Sequence, residues 1–300
     1  MKNTFVKKLC VASATIFFLI SCVGSPIYAK HGQGTSTPAV ELKDQPYGSH
    51  EKQKFDIYLP AGRSAKSTPV LFLIHGGGWA AGNKSSCGKM IELLQTVFPK
   101  MAYVAVEYRF ADAKAMTDQF PAQEEDVKAC IEYVLNNRAK YGISERFVTY
   151  GVSAGAHLAM LYAYKYGSGS YKPAAVISMV GPSNLSKIGE QVMMIDQPKR
   201  EEYFKVFIDA IGGTVEEKSK LYFTSSPINY VTSKSPPTLM LYGSDDLIVP
   251  RQQAEELDAK LTTCSVAHTY RLYSGQDHSL GDVKTDVNEE IIRFLYTYLK

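Results

Sequence analysis

Residues 151–155 read Gly-Val-Ser-Ala-Gly, preceded by "RFVTY" and followed by "AHLAMLYAY". A serine between two glycines, where a β-patterned run meets a helix-patterned run, is the local context of a nucleophile elbow. Such a turn leaves no room for side chains at 151 and 155, and glycine meets that demand. Ser153 would then project from the carboxyl end of a strand. The helix behind it would aim its free N–H groups and positive dipole end at developing negative charge, with the Ala154 N–H as first donor. The pentapeptide alone is weak, because ordinary Gly and Ser frequencies produce it in roughly one chain in ten of this length. A small residue at a sharp turn would read the same, so the rest of the chain has to decide.

Upstream lies "LFLIHGGGWAAGNKS", residues 71–85. Three successive glycines cost conformational entropy on folding. A loop that must aim backbone N–H groups at an oxyanion needs them, and one such donor is worth about 3–4 kcal/mol of barrier. Gly76, Gly77 and Gly78 are therefore oxyanion-hole candidates, and they precede the serine in the chain as an elbow-type site requires. His75 closes the strand and reads as a brace for the loop rather than a base. Trp79, the only tryptophan, is either a wall of the substrate pocket or core packing. The sequence balances these two readings.

A general base and an orienting carboxylate complete such a site. Of the six histidines, His31 and His50 precede or open the domain, and His157 lies one helical turn beyond Ser153 inside the helix. His268 begins a strand. His278, in "YSGQDHSLGD", lies both after the serine and beyond the carboxyl end of a strand, and it is the expected base. "LMLYGSDDLIVP" supplies Asp245 and Asp246 after the preceding strand. Asp246 is the better orienter from its spacing to Gly243, Val249 and Pro250. Asp245 reads as a turn residue, and Asp277 and Asp282 are weaker rivals. Glu124, Glu125 and Asp126 read as a negative first helical turn. Glu107 and Arg109 end a strand and read as an internal ion pair before a substrate clamp, with a substrate-carboxylate role for Arg109 as the alternative.

The elements that must position these residues alternate. Strand-like runs occur at "KFDIYLP", "PVLFLIHG", "AYVAVEYR", "RFVTYG", "AAVISMVG", "PTLMLYG" and "TYRLYSG". Helical periods fill the gaps at "CGKMIELLQTVF", "QEEDVKACIEYVLNNRAKYG", "SAGAHLAMLYAYKYG", "RQQAEELDAKLTT" and "VNEEIIRFLYTYLK". Strands apolar on both faces, alternating with helices, predict an α/β fold with a mostly parallel twisted sheet covered on both sides. Residues 181–227 read as a helical insertion over the carboxyl edge of that sheet, a lid or a long connection.

Residues 1–29 carry a basic start and a twelve-residue apolar run, Leu9–Ile20, too short to span a membrane and suited to an export signal. Cleavage after Ala29 competes with a lipobox-like Leu19-Ile20-Ser21-Cys22, in which Cys22 would be lipidated and form the only membrane attachment. The expected location is exported: periplasmic, secreted or lipid-anchored at the cell envelope. Residues 30–46 read as a polar linker and 47–300 as the domain. Without the leader's three lysines, Lys+Arg and Asp+Glu balance at 30 each, so the basic excess is no nucleic-acid footprint. No paired CxxC suggests structural zinc. Cys87, Cys130 and Cys264 read as inert thiols. Nothing in the sequence speaks to oligomeric state.

The chain resembles an α/β-hydrolase of the esterase/lipase type, close to the hormone-sensitive-lipase-like and feruloyl/acetyl-xylan-esterase-like group. The resemblance rests on "FDIYLP", "LIHGGGWAAGNKS", "VEYRF", "FPAQEEDVKACIEYV", "YGISERFVTYGVSAGAHLA", "SPINYVTSKSPPTLMLYGSDDLIVP" and "YSGQDHSL", from about residue 47 onward. It implies oxyanion donors among Gly76, Gly77, Gly78 and Ala154, no cofactor or metal, and a small-molecule ester substrate. A serine carboxylesterase of short-acyl esters is the expectation. A peptidase, an arylformamidase or a non-catalytic binding protein on the same fold are the alternatives. The chain departs from the group at Ala156, where a second glycine is usual.

Overall fold

The computed structural model describes residues 37–167 and 169–299. Eight strands form one sheet: β1 (Val40–Pro46), β2 (Lys54–Leu59), β3 (Val70–Ile74), β4 (Ala102–Val106), β5 (Phe147–Val152), β6 (Ala175–Met179), β7 (Thr238–Gly243) and β8 (His268–Tyr273). Their spatial order is β1-β2-β4-β3-β5-β6-β7-β8. The pairings β1–β2 and β2–β4 are antiparallel, and the other five are parallel. The helices are α1 (Gly88–Val97), α2 (Ala122–Asn136), α3 (Arg138–Tyr141), α4 (Ala154–Leu161), α5 (Leu185–Met193), α6 (Arg200–Ile211), α7 (Ser219–Thr224), α8 (Gln252–Thr263) and α9 (Lys284–Tyr298).

The sheet explains the apolar runs. All five residues of β3 are buried. Val70, Phe72 and Ile74 face a core shared with α2, α4 and α8. Leu71 and Leu73 face the opposite core, built with α1 and α9. Period-2 alternation thus sends apolar side chains to both faces, as expected for a parallel strand covered on both sides. Burying side chains of this size stabilises by roughly 1.5–3 kcal/mol each.

Two expectations need correction. Residues 40–46, read as linker, form strand β1, with Val40↔Leu59 and Leu42↔Ile57 in register. Its polar composition and Pro46 hid it. An edge strand with one wet face needs only Val40 and Leu42 half-buried, and proline is tolerated there. The helix expected through residue 142 breaks at Asn137, and Gly142 ends the short α3 in the left-handed conformation.

The 181–227 segment lies between β6 and β7 and holds α5, α6 and α7. Its start is tied to α8 by Gln253, which is fully buried. Gln253 Oε1 accepts from the Ser183 and Asn184 N–H groups (2.8 and 2.7 Å), and its Nε2 donates to Asn184 O (3.0 Å) and Gln191 Oε1 (2.5 Å). No helix of the described residues is long and apolar enough to cross a membrane. The leader and residues 30–36 lie outside the described residues.

Candidate active site

Ser153 sits at the β5–α4 junction with φ +54 and ψ −121, a conformation a non-glycine residue adopts only when its surroundings hold it there. Those surroundings are backbone. Ser153 N–H donates to Met179 O (2.8 Å), and Ser153 O accepts from His157 N–H (3.0 Å). The flanking glycines are sterically required. A Cβ at Gly151 would overlap Gly155 O, and one at Gly155 would overlap Ile74 O and His75 O. The methyl of Ala156, where the resembling group has glycine, is fully buried against Gly181.

His278 lies in the loop between β8 and α9, and its Nε2 is 2.9 Å from Ser153 Oγ. Its Nδ1 is 2.6 Å from Asp246 Oδ2. Asp246 is buried, and its other oxygen accepts from the Ile248 and Val249 N–H groups at 2.9 Å each. Those bonds fix the carboxylate's orientation. With Nδ1–H donated to the carboxylate, Nε2 is left as the acceptor facing Ser153. The loops that carry Asp246 and His278 are stitched to each other, since Asp245 N–H donates to Gln276 O (2.9 Å) and Ser244 N–H to Tyr273 O (3.0 Å). A Cβ at Gly243 would overlap Gln276 O, so glycine permits that approach. Asp245 accepts from Ser244 Oγ (2.6 Å) and Asp277 from Ser279, both as local turn residues.

The glycine loop lies directly against the elbow: a Cβ at Gly76 would fall 2.9 Å from Val152 O and 3.3 Å from Ser153 Cβ. Gly77 has φ +120 and Gly78 φ +60. Gly77 O accepts from Ala80 and Ala81 N–H (3.2 and 2.9 Å), which turns the loop back on itself. Among the described residues no acceptor takes the Gly77 or Gly78 N–H. Ala154 N–H, in the first turn of α4, has no intrahelical partner either. The arrangement can take a proton from Ser153 Oγ and offer N–H groups to an oxygen that becomes negative beside it.

His75 braces the loop, as its position suggested. Its Nδ1 contacts Gly76 O (2.7 Å), its ring stacks on Tyr108 (4.4 Å, 10°), and Tyr108 Oη donates to His75 O (3.0 Å). Glu107 lies behind, 3.5 Å from His75 Nε2. Burial alone would raise the Glu107 carboxyl. The contacts from His75, the Lys84 N–H and Lys52 outweigh it and hold the group below the ordinary glutamate range. Arg109 does not pair with Glu107. It binds Asp126 through Nε and Nη2 (3.0 and 2.8 Å) and reaches Asp118 (3.3 Å). Glu124 accepts from Tyr166 Oη and pairs with Lys165 at 2.6 Å. Two of the three acids read as first-turn charges, Glu124 and Asp126, are therefore buried and hold specific partners.

Trp79 as a substrate-binding residue is overturned. It is 2% exposed, caged edge-on by Phe120, His157 and Phe207 at ring distances of 5.9, 5.2 and 5.6 Å. That cage holds its left-handed backbone (φ +59). The indole is packing that props the glycine loop from within. His157, fully buried below it, donates Nε2–H to Ser225 O (2.6 Å) and so ties α4 to the end of the insertion. Burial lowers its pKa to about 4 and Lys165 adds to this, against the bond to Ser225. Nothing in the sequence marked this tie or Gln253, since a lone buried His or Gln in a helix has no local signature. Cys87 and Cys130 are buried free thiols, with Cys87 pushed up to about 12 by burial. Among the described residues no group of three or more His, Cys, Asp or Glu side chains is placed to hold a metal ion.

Residues 55–261 match the BD-FAE family model, which is more than half of the chain. The chain belongs to the BD-FAE family. That segment carries Ser153, Asp246 and the glycine loop, while His278 lies beyond it. Among curated relatives, the esterase LipQ of Mycobacterium tuberculosis is 26% identical over 267 residues, covering 85% of this BD-FAE chain and 60% of LipQ. The esterase LipC of the same organism is 25% identical over 232 residues, covering 73% and 54%. The chain thus spans just over half the length of these two relatives. A solved structure titled as a truncated carbohydrate esterase from gut microbiota superposes with TM-score 0.71 at 22% identity, covering 88% of this chain and 97% of that one. At that identity it shows the α/β-hydrolase fold alone.

Proposed function

We propose that this protein is a serine carboxylesterase acting on small or short-acyl esters through an acyl-enzyme. The observation that carries the reading is the continuous relay from Asp246 through His278 to Ser153, set beside unpaired loop N–H groups. His278 Nε2 takes the Oγ proton as Ser153 attacks the ester carbon. The tetrahedral oxyanion is held by N–H groups drawn from Gly77, Gly78 and Ala154. Collapse expels the alcohol, which receives the proton from His278. Water, deprotonated by the same ring, then attacks the acyl-enzyme and frees Ser153. Asp246 keeps the tautomer correct and stabilises the imidazolium. The relatives named as esterases support the reaction class.

The test is turnover of p-nitrophenyl acetate and butyrate by the wild type and Ser153→Ala. The variant should lose at least about a thousandfold in kcat/KM with an unchanged melting temperature. Equal rates for the two proteins would end the proposal, as would an organophosphate adduct on any residue but Ser153. We also propose that residues 1–29 direct export, on the basic start and short apolar run alone. Intact mass of the mature N-terminus separates a chain beginning at Lys30 from one beginning at lipidated Cys22, and a retained Met1 would refute both.

A further inference from the structure

The insertion reaches the glycine loop at one side chain. A Cβ added to Gly78 would lie 2.7 Å from Val206 Cγ1, so this methyl sits in van der Waals range of the loop backbone itself. Val206 is half-buried on α6. The next residue, Phe207, is buried against the Trp79 indole. Further along the helix, Ala210 O accepts from Phe120 N–H (2.9 Å) and Asp209 O from Gln119 Nε2 (3.4 Å). On the other side Phe204 fills the space over Gly189 of α5, where any Cβ would overlap its ring. Val206 is therefore held in place by contacts before and after it.

Sheet order says on which side of Ser153 the alcohol half of an ester leaves. The glycine loop follows β3, on one side of β5 and Ser153. Asp246 follows β7 and His278 follows β8, on the other side. His278 must reach the leaving oxygen to protonate it, so the alcohol lies toward β7 and β8. With the carbonyl oxygen at the glycine loop and the leaving oxygen at His278, the acyl substituent takes the remaining tetrahedral direction, away from His278.

We propose that Val206 sets the upper size of the acyl group, as the wall standing over the oxyanion loop. This rests on the esterase reading and adds to it a specificity-determining residue. The experiment compares wild type, Val206→Ala, Val206→Ile and Val206→Phe on two series. One is p-nitrophenyl acetate, butyrate and octanoate, with the alcohol constant. The other is methyl, phenyl and naphthyl acetate, with the acyl group constant. One methylene in an apolar pocket is worth roughly 10- to 200-fold in kcat/KM. Val206→Ala should raise the octanoate-to-acetate ratio by about tenfold or more. Val206→Ile should lower the butyrate-to-acetate ratio, with Val206→Phe lowering it further. The alcohol series should keep its wild-type ratios. Ser153-dependent turnover with unchanged acyl ratios in Val206→Ala and Val206→Ile, or a change confined to the alcohol series, overturns the proposal alone. Absence of Ser153-dependent turnover in the wild type overturns the esterase reading and this proposal with it.

Discussion

Ser153 and Val206 flank the same glycine loop, but different forces place them. Ser153, the glycine loop, Asp246 and His278 sit at the ends of β5, β3, β7 and β8, whose ladder runs in continuous register. Loop-to-loop backbone bonds and glycine contacts complete their placement. Val206 rides on a helix of the insertion, which carries no strand. That segment is held mostly through side chains, Gln253 at its start, Phe207 in its middle and His157 at its end, with backbone bonds from Phe120 N–H to Ala210 O and from Ile228 N–H to Ser183 O. The groups proposed to react thus sit at the ends of one hydrogen-bonded sheet, and the insertion beside them is a separately fastened piece. Changes in the insertion should therefore alter which substrate fits and how stable the segment is, while changes at strand ends should alter the chemistry.

The strongest way to break that distinction is at Gly155. Its substitution by alanine drives a methyl into Ile74 O and His75 O, where the elbow meets the glycine loop. Ser153 and the glycine-loop N–H groups proposed as oxyanion donors shift together. We expect kcat/KM to fall by about a thousandfold, the upper range for losing one oxyanion donor. A Gly155→Ala protein within tenfold of wild type would show that the close approach is dispensable.

The complementary change is Gln253→Leu. It keeps approximate volume and strips partners from the Ser183 and Asn184 N–H groups, Asn184 O and Gln191 Oε1. Buried polar groups left unsatisfied cost about 1–3 kcal/mol each, and local relaxation recovers part of this. We expect a loss of about 3 kcal/mol in urea unfolding. Labelling of Ser153 by a small organophosphate should stay within a few-fold of wild type. A collapse of labelling at unchanged stability would mean that the insertion positions the nucleophile after all.

The smallest effect is a pH dependence at His157. Its ordinary pKa is 6.5 and its folded value is about 4. Above pH 6.5 both folded and unfolded chains hold the ring neutral. Below it the unfolded chain takes up a proton that the folded protein refuses until about pH 4, so stability falls as pH drops through this window. Between pH 7.5 and 5 the loss from this residue is about 2 kcal/mol. His157→Phe gives up the bond to Ser225 O and should be less stable at pH 7.5. Its further loss on going to pH 5 should be smaller than wild type's by about that amount. Equal losses in the two proteins would refute the assignment.

How much was legible beforehand follows the same division. The places of Ser153, Asp246 and His278 just past strand ends were readable, because apolar runs mark where strands end. Gly76, Gly77 and Gly78 were readable as a tight loop, because left-handed turns and close backbone approach permit little else. The edge strand β1 was not, because a strand wet on one face has the composition of a linker. Trp79 was evenly balanced, since an indole beside a glycine loop can face substrate or core. Only the positions of Phe120, His157 and Phe207, far apart in the chain, turned it inward.

By itself, then, the amino-acid order determined the alternation of strands and helices, the chemical type of each group proposed to react and the order in which they occur. These are local properties, written in periodicity, glycine placement and the residues next to strand ends. Only the tertiary structure decided that His278 Nε2 stands 2.9 Å from Ser153 Oγ, that Gln253 and His157 fasten the insertion, and that Val206 stands over Gly78. Those facts depend on contacts between segments tens of residues apart, which the sheet order and the packing of its two faces bring together.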